Sequence, residues 1–179
     1  GEGLPPIPIP GGGVNAVLRG FIDRVDIWDN GASRYYRVVD YKTGKKDFDY
    51  CDVFNGVGLQ MLLYMFALKS SGSDMLGDRP VAAGVQYFPA RAPYLTSDGK
   101  LTAEEAEQER ISKWKRKGLL LNDEDVLQAM EPGDAPKRMC YSVKKDGTVS
   151  GDLADVNAFR VGPGIAEQGV VGEVVIHDH

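Results

Sequence analysis

The sequence predicts an α/β domain in which a mixed β-sheet is flanked by helices. Segments 16–28 and 34–42 are rich in branched and aromatic residues, and between them lies Asn30-Gly31, a dipeptide typical of β-hairpin turns. An apolar helix is predicted over about 57–69, and another strand over 80–88. A strand, a helix and a strand in this order predict a right-handed crossover back to the same sheet, which therefore mixes parallel and antiparallel strands.

The predicted helices differ in their surroundings. The helix over 57–69, with Asn55 as a candidate cap, is apolar on nearly all sides, which predicts a buried helix. Thr102 and Glu105 form a capping box that opens a charged surface helix, expected to reach Lys117 before Gly118. We expect a short helix over 122–130 and a second hairpin turn over 145–148.

Length and composition limit the organisation of the chain. Its 179 residues, of which 42% are hydrophobic, are enough for one core and too few for two. We expect the domain to cover 14–157, after a Pro/Gly arm or linker at 1–13 and before an irregular tail at 158–179. There is no apolar run of membrane-spanning length and no signal-peptide pattern, so we expect a cytoplasmic protein. Cys51 and Cys140 lack CxxC spacing, and we expect both thiols to be reduced.

The charge distribution is uneven. The net charge of -5 argues against nonspecific wrapping of nucleic acid by the whole domain. Basic residues nevertheless gather in segments 34–46 and 113–117. The second segment has an aromatic residue, Trp114, among its lysines, and is either a DNA contact or a solvated helix end. The terminal His177-Asp178-His179 is interpreted as frayed chain rather than as a metal site.

Asp23, Asp40 and Lys42 form the candidate reactive group. Asp40 and Lys42 are two residues apart on one strand, so their side chains project from one face, about 7 Å apart along the strand. A tight Asn30-Gly31 turn places Asp23 opposite Val38, and a longer turn places it opposite Asp40. In either register the Asp23 side chain shares the face of Asp40 and Lys42.

Two neighbouring carboxylates and an ammonium group point to metal-assisted chemistry. Carboxylates in a partly buried setting repel each other unless a cation lies between them. Mg²⁺ favours one or two carboxylates together with water and substrate phosphate, and Lys42 would offset charge on a reacting phosphate. The pattern favours phosphodiester hydrolysis, although a strand with Asp-x-Lys can also be a solvated face or a cross-strand ion pair.

Three sequence blocks in this order resemble a known family. They are residues 20–26 (Gly-Phe-Ile-Asp-Arg-Val-Asp), 38–44 (Val-Val-Asp-Tyr-Lys-Thr-Gly) and 59–64 (Leu-Gln-Met-Leu-Leu-Tyr). The blocks resemble the RecB-type PD-(D/E)XK nucleases. Together with residues 84–88 and 117–121, their spacing most resembles the AddB subunits of bacterial AddAB helicase-nucleases, over about 14–157. The resemblance implies a restriction-endonuclease-like fold, a mixed sheet flanked by helices.

The resemblance also implies roles for individual residues. Asp23, Asp40 and the Tyr41 carbonyl would bind Mg²⁺ or Mn²⁺, and Lys42 would be the catalytic lysine. Gln60 and Tyr64 match the QxxxY motif, whose side chains would contact DNA or brace the site. Arg24 and Asp26 also match family positions. Arg24 falls on the strand face opposite Asp23, and Asp26 does likewise if the strand is regular there, so we interpret both as structural ion-pairing residues.

The family further implies an exonuclease that acts on single-stranded DNA during double-strand break repair and recombination, with a helicase partner subunit of the AddA type. Members of the family carry a helix with a further metal ligand before the first strand, whereas here only the Pro/Gly arm precedes Val14. Neither cysteine matches the iron–sulfur cluster motif that is expected in the full-length family member. We therefore expect a fragment of a larger subunit. The alternatives are a noncatalytic DNA-binding or scaffold module with the same fold, or a stand-alone RecB-like exonuclease, which should carry its own cysteine cluster.

Overall fold

The computed structural model describes residues 6–9, 16–44, 49, 59–77, 79–92, 94–95, 99, 101–134 and 136–159. The strands are β1 (Ile7–Ile9), β2 (Ala16–Leu18), β3 (Arg24–Asp29), β4 (Arg34–Lys42), β5 (Pro80–Pro89), β6 (Lys117–Leu121), β7 (Tyr141–Val143), β8 (Val149–Gly151) and β9 (Leu153–Ala154). The helices are α1 (Gln60–Ser71), α2 (Ser73–Leu76), α3 (Ala103–Lys113) and α4 (Glu124–Met130), and a 3₁₀ turn covers Val156–Phe159.

Among the described residues, the main sheet has five strands in the order β3-β4-β5-β6-β9. β4 is antiparallel to β3 and parallel to β5, whereas β6 is antiparallel to β5 and parallel to β9. This confirms the predicted mixed sheet flanked by helices.

The β3-β4 hairpin adopts the longer of the two predicted registers. Asp29 pairs with Arg34, and Arg24 pairs with Val39. Continued by one residue, this register places Asp23, which lies just before β3, opposite Asp40. In the turn, the Asn30 side chain accepts hydrogen bonds from the Ala32 and Ser33 N–H groups at 3.0 and 2.8 Å. These bonds satisfy backbone donors that a two-residue turn would not expose, which explains the longer register.

The predicted strand over 16–28 is divided into two. Its first part, β2, pairs antiparallel with β1 in a separate two-stranded sheet, and its second part, β3, enters the main sheet. The expectation of one continuous strand is therefore wrong. Gly20 lies between the two parts and is close enough to Tyr64 that a side chain at this position would collide with it.

Helix α1 connects the parallel strands β4 and β5, and packs on both. Met61, Met65 and Leu68 lie on its buried face, whereas Leu63 is 38% exposed. The expectation of a buried helix therefore holds for the face that packs on β4 and β5, whereas the opposite face is partly exposed among the described residues. Asn55, its predicted cap, falls outside the described residues.

The capping box of α3 is confirmed, but the predicted end of the helix is not. Glu105 N–H donates to Thr102 Oγ1 at 3.2 Å, and Thr102 N–H donates to the Glu105 carboxylate at 2.8 Å. The helix ends at Lys113, and Lys117 already begins β6. The run of three leucines after Gly118 is a buried strand, and its pairing with β5 outweighs the helix-favouring charges before it.

The other face of the sheet carries a smaller layer. Leu120 of β6 packs with Leu127 of α4 and with Met139 and Tyr141 next to the β7-β8 hairpin. The helix expected over 122–130 begins at Glu124, and Asp123 caps it by accepting a hydrogen bond from Val126 N–H. The predicted turn over 145–148 joins β7 and β8. No helix in the described part of the chain is long and apolar enough to cross a membrane.

Candidate active site

Asp40 and Lys42 lie at the carboxyl end of β4 and contact each other. Lys42 Nζ is 2.5 Å from Asp40 Oδ2, and contact with this carboxylate raises the pKa of Lys42 above its usual value. Asp40 is 5% exposed, while one third of the Lys42 side chain remains open to solvent. The strand thus holds a buried carboxylate beside an accessible ammonium group.

Asp23 is held next to this pair by the backbone of β4. Its Oδ2 accepts a hydrogen bond of 2.9 Å from the Tyr41 N–H, and its charge contributes to the raised pKa of Lys42. Asp23 is exposed and Asp40 is buried. The structure therefore brings together Asp23, Asp40 and Lys42, the three side chains that the sequence predicts for the site. The Tyr41 contact is made by its N–H, whereas the ligand expected from the family is its carbonyl.

These donors fit a hard divalent cation. The buried Asp40 Oδ2 has no hydrogen-bond partner among the described residues, although the Lys42 ammonium group lies beside it as an ion-pair partner. No cluster of three or more His, Cys, Asp or Glu side chains suited to a metal occurs in the described ranges. Two carboxylates and a backbone carbonyl suit Mg²⁺, which keeps several water ligands and binds substrate phosphate.

Gln60 and Tyr64 form a pair on the first turns of α1. Gln60 Nε2 donates to Tyr64 Oη at 2.7 Å. A Cβ at Gly20 would lie 2.9 Å from the Tyr64 ring, so the ring packs against the segment that leads to Asp23. This contact favours bracing of the site over the other predicted role, DNA contact, for the Tyr64 ring.

Arg24 and Asp26 form the predicted structural ion pair, in which Arg24 Nε lies 2.5 Å from Asp26 Oδ1. Asp26 also pairs with the buried Arg37, whose Nη1 donates to Gln86 Oε1 at 2.7 Å. Arg37 and Gln86 were not predicted as partners. The sequence feature that could have revealed this contact is a charged side chain, Arg37, and an amide side chain, Gln86, each within an otherwise apolar strand.

The remaining predicted sites have different outcomes. Trp114 Nε1 donates to Pro89 O at 3.1 Å, and Lys113 pairs with Glu109 at 2.6 Å, so this segment is partly engaged in structural contacts. Burial raises the pKa of the free Cys140 thiol to about 12. Cys51 and His177-Asp178-His179 lie outside the described residues.

Comparison with known proteins identifies relatives of the chain. Residues 3–139 match the model of the PD-(D/E)XK nuclease superfamily. The chain is 37% identical to the B-type subunit of the ATP-dependent helicase/deoxyribonuclease of Symbiobacterium thermophilum, over 89% of this chain and 14% of that protein. It is 38% identical to the protein of the same name from Bacillus subtilis, over 86% of this chain and 14% of the relative.

The protein of this name from Clostridium acetobutylicum is 36% identical, over 83% of this chain and 13% of the relative. The chain thus spans about one seventh of the length of the relatives it matches. The family match covers more than half of the chain, including both sequence blocks that supply the two carboxylates and the lysine. By this match and by its mixed five-stranded sheet, the chain belongs to the PD-(D/E)XK nuclease superfamily.

Proposed function

We propose that the chain hydrolyses phosphodiester bonds of DNA in a reaction that depends on Mg²⁺ or Mn²⁺. The observation that carries the proposal is the buried Asp40 carboxylate, whose Oδ2 lies 2.5 Å from the Nζ of the partly exposed Lys42, with a second carboxylate, Asp23, held beside the pair. A structural ion pair needs neither an accessible ammonium group nor a second carboxylate fixed beside it. Asp23 is fixed in this way by the Tyr41 N–H.

Each residue has a defined part in this proposal. Asp23, Asp40 and the Tyr41 carbonyl hold the cation, which when bound would polarise the phosphoryl oxygen and acidify the attacking water. Lys42 is protonated at neutral pH, as lysines ordinarily are, and the Asp40 carboxylate raises its pKa further. Its ammonium group offsets charge on the reacting phosphate. The Tyr64 ring positions Asp23 by packing on Gly20.

The DNA substrate is proposed from the name of the relatives, and the biological role from the family resemblance of the sequence. Their name describes a helicase and a deoxyribonuclease, and we extend the deoxyribonuclease part to this chain. The proposed substrate is a single DNA strand, cut exonucleolytically during double-strand break repair and recombination. A helicase subunit of the AddA type would supply the strand. The iron–sulfur cluster that the family resemblance implies has no matching cysteine motif in this chain.

The alternative is a DNA-binding or scaffold module that does not cut DNA. The acidic net charge of -5 and the ion pair between Asp40 and Lys42 are compatible with such a module. Metal-dependent cleavage distinguishes the two functions directly.

The test is a cleavage assay with end-labelled single-stranded DNA in increasing Mg²⁺ or Mn²⁺, comparing the unmodified chain with Asp40→Asn and Lys42→Ala. We expect Asp40→Asn to lose both metal affinity and cleavage. We expect Lys42→Ala to bind metal and to cut roughly 10²- to 10³-fold more slowly, as when a charge-stabilising donor is removed. Asp134→Asn, at an exposed position away from β4, is the matched control.

The proposal fails if the unmodified chain binds DNA and metal but does not cut. It also fails if Asp40→Asn cuts as fast as the Asp134→Asn control. The first result would support the noncatalytic module, whereas the second would place the reaction at other residues.

A further inference from the structure

Three arginine side chains surround the ring of Phe88 on the sheet face opposite Asp40. The guanidinium carbons of Arg116, Arg37 and Arg24 lie 4.3, 5.5 and 6.0 Å from the ring centroid. We call these residues and Phe88 the arginine cluster. They come from three separate segments of the chain: strand β3, strand β4 and the connection before β6. The fold has therefore gathered like charges that are distant in sequence.

The positive charge of the arginine cluster is only partly compensated. Among the described residues, one carboxylate, Asp26, pairs with both Arg24 and Arg37, and none pairs with Arg116. The Nε atom of Arg37 is buried and has no hydrogen-bond acceptor in the described part of the chain. Burial, followed by repulsion from Arg37, lowers the pKa of Arg116. The attraction of an additional anion would offset both the repulsion between the arginines and the free-energy cost of their desolvation.

Glu131 is a further acid that attracts Arg116, but it forms no ion pair with it among the described residues. The Glu131 carboxylate instead accepts hydrogen bonds from the backbone N–H groups of Arg138 and Met139 at 3.2 and 3.1 Å. Arg138 itself adds repulsion to Arg116. The arginine cluster is therefore a locally positive surface, although the net charge of the chain is -5.

Tyr41 connects the arginine cluster with the candidate active site. Its backbone N–H binds Asp23, while its ring packs edge-on against Phe88 at 5.9 Å and its hydroxyl accepts a hydrogen bond from Arg24 at 3.2 Å. Phe88 pairs with Tyr41, and the next residue, Pro89, pairs with Lys42. The cluster and Lys42 therefore lie at the same end of adjacent strands, around one edge of the sheet.

We propose that the arginine cluster binds a backbone phosphate of the same DNA strand that is cut at Asp40 and Lys42, a proposal that rests on the proposed function. Guanidinium groups bind phosphate through paired hydrogen bonds and retain their charge when partly buried. A phosphate held here would fix the path of the strand around the sheet edge. Arg116 is the main phosphate contact, because it has the uncompensated charge among the described residues.

The test measures the binding of fluorescein-labelled oligothymidylate to the 179-residue chain by fluorescence anisotropy at several salt concentrations. We expect Arg116→Ala to weaken binding roughly tenfold, as for the loss of one hydrogen bond to a charged group. The slope of log affinity against log salt should fall by about 0.7, the value for one phosphate contact on a single strand. Arg116→Lys should retain most of this slope.

Arg79→Ala is the matched control. Arg79 is exposed and lies just before the first residue of β5, whereas Pro89 is the last residue of this strand. Equal affinity and salt slope for Arg116→Ala and the unmodified chain would overturn the proposal, and so would equal losses in Arg116→Ala and Arg79→Ala. The first result would leave the cluster as a site for a carboxylate of another protein segment. A thermal melt of each variant separates a loss of phosphate binding from a loss of folding.

Cleavage by the same samples keeps the two proposals apart. Normal cleavage with an unchanged salt slope in Arg116→Ala overturns the phosphate site alone. Binding that depends on Arg116 without any cleavage by the unmodified chain overturns the nuclease proposal alone. No binding of DNA by the unmodified chain overturns both.

Discussion

Asp26 is a carboxylate shared by two arginines, and this arrangement determines its protonation. Burial would raise its pKa, but hydrogen bonds from Arg37 and Arg24 outweigh burial, and the pKa lies below the usual 3.8. A carboxyl group with a lowered pKa in the folded state contributes stability that is complete above its unfolded pKa. That contribution is lost as the pH falls through the folded pKa.

We therefore expect the stability difference between the unmodified chain and Asp26→Asn to shrink as the pH falls below 3.8. The measurement is the midpoint of urea unfolding at several pH values between about 5 and 2, the range over which such carboxyl groups titrate. Asp134→Asn, at an exposed position, serves as the control. A difference for Asp26→Asn that stays constant over this range would show that its ion pairs do not contribute to stability.

Residue-scale prediction from the sequence succeeded where it depended on strand alternation. Either register of the hairpin places Asp23 on the face of Asp40, and the observed contacts of Asp23 and Lys42 agree with this geometry. The burial of Asp40 and the gathering of arginines around Phe88 depend on which strands become neighbours. Side chains on distant segments meet only through tertiary packing, which local patterns do not encode.

At the scale of elements, β6 depends on a glycine. Gly118 has a φ of 150°, and a Cβ there would lie 2.0 Å from Val85 O in the neighbouring strand. This close approach lets β6 pair with β5. From sequence alone the same glycine is predicted to end α3, because a glycine after a charged helix is also typical of a C-terminal cap.

Gly118→Ala tests this role of β6. Gly133 has a comparable φ of 138° with nothing within 4 Å of an added Cβ, so Gly133→Ala is the matched control for backbone strain alone. We expect Gly133→Ala to lower the free energy of unfolding by about 1–3 kcal/mol, and Gly118→Ala to lower it further. The check is chemical denaturation of both variants. An equal decrease in the free energy of unfolding for both variants would mean that the close approach of β5 and β6 at Gly118 does not contribute to stability.

Helix α1 offers a second element-scale test, because Tyr64 combines ring packing with a hydroxyl. If the ring braces Asp23 through Gly20, Tyr64→Ala should slow cleavage by roughly a hundredfold, the effect of a small misplacement of reacting groups. Tyr64→Phe should remain near the unmodified rate. The measurement is the cleavage rate of each variant and of the unmodified chain at saturating DNA. Equal losses in both variants would instead show that the hydroxyl or its bond to Gln60 is needed.

At the scale of the whole molecule, much of the strand order follows from rules that the sequence reveals. The Asn-Gly turn predicted the antiparallel β3-β4 pair, and the helix between β4 and β5 predicted their parallel pairing. The separate β1-β2 sheet and the edge strand β9 could not be predicted, because strands of two or three residues carry almost no periodicity. Of these strands, β9 lies at the edge of the main sheet, three strands away from the β4 strand that carries Asp40.

The central claim is that Asp23 and Asp40 hold a catalytic divalent cation beside Lys42. The most direct measurement is anomalous diffraction from crystals of the chain equilibrated with Mn²⁺. We predict an anomalous peak within coordination distance of the Asp40 and Asp23 carboxylates, and no peak at this position in Asp40→Asn. A peak at other residues, or none here at saturating Mn²⁺, would contradict the claim.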